Sequence, residues 1–100
     1  MNNDNIRQAS AAEIENWIVD HIAQLVNVAP GAVARDADFE SFGIDSAKAI
    51  SMVVDLENWL NLPDELPLEL LFEAGSIAHA AENIAGAARQ MAQAQEASAQ

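Results

Sequence analysis

Ser46 stands at the head of an apolar-patterned run, and its hydroxyl is the group in this chain best placed to carry chemistry. It follows Gly43, Ile44 and Asp45 and opens a segment that reaches Asn61, just before Pro63. A helix start presents unpaired amides and the positive end of the helix dipole, so a phosphate attached to a hydroxyl there is stabilised. Gly43 lets the backbone turn before the helix and leaves that hydroxyl accessible. Either Asp45 or Ser46 can cap the helix. Other chemistries fit less well. A serine hydrolase needs a base and a nucleophile elbow; His21 and His79 are available, but Gly43-Ile44-Asp45-Ser46-Ala47 lacks the second glycine and the chain is too short for that fold. Asp36, Asp38 and Glu40 invite a test as a calcium loop. Starting that loop at Asp36 puts Ser41 where the glycine belongs and Ala47 where the bidentate glutamate belongs. The three acids read instead as solvation of a loop. The histidines and scattered carboxylates show no metal-ligand spacing.

Helical segments must position Ser46. Residues 1–9 are polar and read as a flexible lead-in. Ser10 and Glu13 form a capping-box pattern. Ile14, Trp17, Ile18, Ile22, Leu25 and Val26 follow at helical spacing, which predicts a first helix over 11–27 with one apolar stripe. Asn27, Pro30 and Gly31 mark its end. Residues 28–45 make a long connection, of a length that is usually functional; Val33, Phe39, Phe42 and Ile44 pin it to the core, with a turn of helix near 39–41. The second helix covers 46–61. Pro67 opens a short third segment, 68–73, and Gly75 ends it. Ser76 caps a last helix carrying Ile77, Ala80, Ala81 and Ile84. From residue 87 to 100 the chain is mostly Ala and Gln, with high helix propensity and little to bury. That tail reads as a frayed helix or as disorder.

The second helix has two apolar faces. With Ser46 at zero and about 100° per residue, Ala49, Met52, Val53, Leu56, Trp59 and Leu60 form a broad core stripe. Lys48, Ser51 and Asp55 form a solvated face. Ala47, Ile50 and Val54 make a smaller apolar group, with Ser46 and Glu57 at its border. This second face reads either as packing against a loop or neighbouring helix, or as a docking patch beside the hydroxyl.

Composition narrows the partners. Four Lys and Arg against sixteen Asp and Glu give a formal charge of −12. So few cations cannot neutralise a phosphate backbone or hold an anionic membrane surface. Of the 51% apolar residues, 21 are alanine, so the core is small and economical. There is no cysteine, hence no disulfide framework. No run approaches the roughly 18 apolar residues of a membrane span. No signal peptide is read at the start, where no apolar segment follows Arg7. The expectation is a monomeric, cytoplasmic, acidic helical domain with basic partners.

Phe42-Gly43-Ile44-Asp45-Ser46 resembles the phosphopantetheine attachment motif of acyl carrier proteins. The resemblance continues through Ile50, Met52, Val53, Leu56 and Glu57, through 66–73 (similar to the third-helix segment of polyketide-type carriers), and through Ser76, Ile77 and Ile84. It covers about residues 11–86, which makes 10–86 the carrier domain. It implies an all-α four-helix bundle with a short third helix and a long loop between helices one and two. It implies that a phosphopantetheinyl transferase attaches 4′-phosphopantetheine from coenzyme A to Ser46, with Gly43, Ile44 and Asp45 supporting the site. The arm would carry acyl groups as thioesters to a ketosynthase, an acyltransferase or other acyl-processing enzymes of polyketide or fatty-acid biosynthesis, while the carrier itself catalyses nothing. Ala47, Ile50, Val54 and Glu57 would form the docking face, with Glu69 and Glu73 nearby.

The sequence also departs from the family pattern. Ala47 stands where Leu or Met is usual, Ser51 where Glu is frequent, and Lys48 adds a positive charge. Ala80 replaces a larger apolar residue, and Ala74-Gly75 replaces a proline-containing turn. The Gly-Gly-His-Ser pattern of peptidyl carriers is absent. Three alternatives remain open at this level: an acidic helical adaptor whose Ser46 is only a cap, a carrier that is never modified, and an aminoacyl carrier.

Overall fold

A computed structural model of the chain describes residues 6–98, with side chains to residue 94. It is all-helical, in the order α1 (Ala11–Val26), α2 (Ser46–Leu60), α3 (Glu69–Phe72) and α4 (Ile77–Ser98), with 3-10 turns at Pro30–Ala32 and Glu40–Phe42 inside the long α1–α2 connection. Residues 1–5 and 99–100, at the ends of the lead-in and the tail, lie outside the described residues.

Local signals set the helix ends. Ser10 Oγ accepts the Glu13 amide at 3.1 Å while Glu13 Oε1 accepts the Ser10 amide at 2.8 Å, closing the capping box. Helix α1 ends at Asn27 and α2 at Asn61, both in the left-handed conformation (φ 61° and 59°) that asparagine tolerates better than most residues. Ser76 Oγ accepts the His79 amide at 3.1 Å. The first two amides of α4 find the long connection: Ile77 N–H donates to Ala37 O at 3.2 Å and Ala78 N–H to Arg35 O at 3.0 Å. The connection therefore caps a helix that lies forty residues further along the chain.

The core is one cluster drawn from all four helices and the connection. Ile14, Ile18 and Ile22 of α1, Met52, Leu56 and Leu60 of α2, Leu71 of α3 and Ile77 and Ile84 of α4 are fully buried. Val33, Phe39 and Ile44 insert from the connection, with Phe42 half-buried beside them. Arg35 fastens the same segment to α1, donating to Glu15 Oε2 at 2.6 Å and to Asn16 Oδ1 at 2.8 Å. Alanines 49, 80 and 81 are fully enclosed, so the helices approach closely where the sequence is smallest.

One segment differs from the sequence expectation. Residues 6–9 are not a loose lead-in. Ile6 is buried, the Arg7 amide donates to Leu60 O at 2.8 Å, and Arg7 Nε donates to Trp59 O at 2.7 Å. The Arg7 guanidinium lies 5.0 Å from the Trp59 ring centroid, Trp59 stacks on Trp17 at 5.9 Å, and Trp17 on His21 at 5.0 Å. One buried apolar side chain, two hydrogen bonds and one cation–π contact tie this segment to the end of α2. Toward the other terminus, α4 continues as helix to Ser98, and Ala88 is still buried, with Met91 half-buried.

Candidate functional site

Asp45 is the residue that caps α2. Its backbone is extended (φ −86°, ψ −176°) and its Oδ1 accepts the Lys48 amide at 2.9 Å, while its carbonyl accepts the Ala49 amide at 2.9 Å. The choice between Asp45 and Ser46 as cap is thus decided for Asp45. Ser46 becomes the first helical residue. It is exposed, and its hydroxyl takes no hydrogen bond among the described residues. The amides of Ser46 and Ala47 lack an intrahelical acceptor, as the first amides of any helix do. The hydroxyl thus sits on an open, positively polarised helix end with no structural duty of its own.

The backbone delivers Ser46 to the surface through a tight turn. Asp38 Oδ1 accepts the Ser41 amide at 2.9 Å and Ser41 Oγ donates to Asp38 O at 2.7 Å, so this acid shapes the Glu40–Phe42 turn. Gly43 closes that turn in the left-handed region (φ 76°), donating to Glu40 O at 2.9 Å. Nothing lies within 4 Å of where a Cβ would sit, so conformation rather than space is what a side chain would violate there. Ile44 is buried and anchors the turn; Ser46, two residues on, remains outside.

Beside Ser46 lies a shallow cleft of about 380 Å³ formed by Glu40, Gly43, Ile44, Asp45, Ser46 and Phe72. Phe72, the last residue of α3, is 39% exposed. On α2, Ile50 and Val54 are 48% and 47% exposed; they lie one and two turns below Ser46 on the same face. The second apolar face of α2 is therefore solvent-facing, and the alternative of burial against a neighbour does not hold for these two residues. Ala47, Glu69 and Glu73 are exposed as well. Glu57 is different. It is half-buried, and its Oε2 accepts the Leu66 amide at 2.6 Å, so it braces the approach to α3.

Sequence reasoning missed Phe72 and Glu40 as neighbours of Ser46. Phe72 sits in the quoted third-helix segment, but periodicity over one turn of helix cannot tell its buried residue, Leu71, from its exposed one. One residue of the α1 stripe is not where periodicity puts it. Leu25, counted in the apolar stripe of α1, is 41% exposed. Lys48, Ser51 and Asp55, read as a solvated face, are exposed, and with His21, Gln24, Leu25 and Ala47 they line a groove of about 450 Å³ between α1 and α2. The residues of α2 that share this groove with Leu25 include the small Ala47 and Ser51. Among the described residues no cluster of His, Asp and Glu could hold a metal ion, and no helix is long and apolar enough to cross a membrane.

Comparison with known proteins agrees with this geometry. Residues 16–84 match the family model described as "Phosphopantetheine attachment site". The chain is 30% identical over 50 residues to the acyl carrier protein TtuC of Teredinibacter turnerae (strain ATCC 39867 / T7901); the match takes in half of this chain and 58% of that protein, so the chain spans under two thirds of this curated relative. The fold is similar to the solution structure of Asl1650, an acyl carrier protein from Anabaena sp. PCC 7120 with a variant phosphopantetheinylation-site sequence. There the TM-score is 0.71 and the identity 30%, over 83% of this chain and 92% of that one. The site of this family takes 4′-phosphopantetheine, and an open hydroxyl on a helix start fits a group joined through phosphate. On the family model and the shared four-helix fold together, the chain belongs to the acyl carrier protein family, whose members carry rather than catalyse.

Proposed function

We propose that Ser46 is the attachment residue and that the chain is a non-catalytic acyl carrier of a polyketide or related secondary-metabolite pathway. The observation that carries this reading is the division of labour at the start of α2: Asp45 does the capping, and the neighbouring Ser46 hydroxyl is exposed and uncommitted. Ser46 Oγ supplies the oxygen of a new P–O bond, its proton passes to a base of the transferase, and coenzyme A loses adenosine 3′,5′-bisphosphate. When bound, the arm offers a terminal thiol that holds acyl groups as thioesters. The amides of Ser46 and Ala47 and the dipole of α2 stabilise the phosphodiester charge.

Partners dock on the face that holds Ala47, Ile50 and Val54, with Phe72 across the cleft and Glu69 and Glu73 beyond it. The apolar residues supply contact area, and the acids orient a basic enzyme during encounter. The pathway assignment is supported by the third-helix segment at 66–73, which resembles polyketide-type carriers.

The test is the intact mass of the protein after incubation with coenzyme A and a broad-specificity transferase. Wild type gains one phosphopantetheinyl group and Ser46→Ala gains none. An unmodified wild type, or an equal gain in Ser46→Ala, refutes the assignment.

A further inference from the structure

We propose that the groove between α1 and α2 is the resting place of the unloaded phosphopantetheine arm; this rests on the attachment reading at Ser46. The groove begins at Ala47, the residue after Ser46, and follows α2 to Asp55. Eight residues at 1.5 Å each make that about 12 Å, which takes the arm in a bent form rather than fully extended. Its volume, about 450 Å³, lies in the range of sites that hold small ligands, roughly 300–1,000 Å³. Its lining is mixed: Leu25 and Ala47 give an apolar floor, and Gln24 and Ser51 give donors and acceptors. An arm made of methyl and methylene groups broken by amides and a hydroxyl asks for that mixture.

Charge gives the orientation. In a chain of net charge −12, Arg35 is held by Glu15 and Arg7 by Trp59, and Arg89 lies on α4. Lys48 is the lysine in the groove, and its ammonium has no ion-pair partner among the described residues. Helical side chains lean toward the amino end of their helix, so Lys48 leans toward the turn that carries Ser46 and the arm's phosphate. Asp55 lies two turns further along α2, about 10 Å from that end, where the arm is uncharged. His21 borders the groove from α1. The cleft on the other side of Ser46 is lined by the carboxylates of Glu40 and Asp45 and holds no cation, so a phosphate-bearing arm is favoured on the Lys48 side.

The experiment uses the full-length ¹⁵N-labelled protein, converted with coenzyme A and a transferase, with a nitroxide then attached to the arm's thiol. Intact mass verifies loading first. The expected result is selective broadening of the amides of His21, Gln24 and Leu25, which lie on a helix that does not contain Ser46. Among the molecules that carry the mass gain, that broadening is lost in Ser51→Leu, which fills the groove, and reduced in Lys48→Gln. Loading without broadening on α1, or broadening centred on Phe72, overturns this proposal and leaves the attachment reading intact. Absence of any mass gain overturns both.

Discussion

Glu57 Oε2 accepts the amide of the buried Leu66 at 2.6 Å, and through this bond α2 fixes the segment that leads into α3. Together with the buried Leu66 and Leu71, that brace holds α3, whose four residues are too few to stand alone, with Phe72 beside Ser46. Removing the carboxylate leaves a part-buried donor unsatisfied. Glu57→Ala is expected to destabilise the fold by about 1.5–3 kcal/mol, with Glu57→Gln milder. Denaturant melts measure the loss, and faster exchange of the Leu66 amide locates it.

Asp45 and Ser46 separate stability from modification. Asp45→Ala removes the cap of α2 and costs about 0.5–2 kcal/mol, and Asp45→Asn restores most of it. Ser46→Ala changes stability by less than about 0.5 kcal/mol, since the exposed hydroxyl bonds to nothing, yet abolishes the mass gain. Thermal melts run beside intact mass spectrometry check both halves.

Gly43 tests the turn that presents the serine. Gly43→Ala places a Cβ on a left-handed residue and costs about 1–2 kcal/mol, although open space surrounds it. Gly43→Asn costs less, because asparagine tolerates that region. Equal melting of the two variants would show that sterics, not backbone conformation, set the cost.

The two faces of α2 are expected to answer to different assays. Leu56→Ala, in the core, destabilises by about 2–5 kcal/mol. Ile50→Ala and Val54→Ala, near half exposure, shift stability by less than about 1 kcal/mol and instead slow loading by the transferase. Urea titration and the initial rate of loading distinguish them.

Much of the fold is legible in the amino-acid sequence because its signals are local. The box of Ser10 and Glu13, the helix ends at Asn27 and Asn61, the turn at Gly43 and the period of Met52, Leu56 and Leu60 each act within a turn or two of helix, and each is found as read. The same locality puts Ser46 at the head of α2 and the sixteen acids in a chain with four cations. What the tertiary structure alone decided is which polar and apolar groups are spoken for. Glu57 reads only as an acid bordering the docking face, and folding brings the amide of Leu66, nine residues away, to it as a partner. Leu25 reads as core, and folding leaves it exposed in a groove it shares with the small Ala47 and Ser51 of α2. Arg7 reads as part of a loose lead-in until it meets Leu60 and Trp59, more than fifty residues on. Periodicity specifies which face of a helix is apolar, but what covers that face depends on the size and reach of side chains on elements distant in sequence, and only folding brings those together.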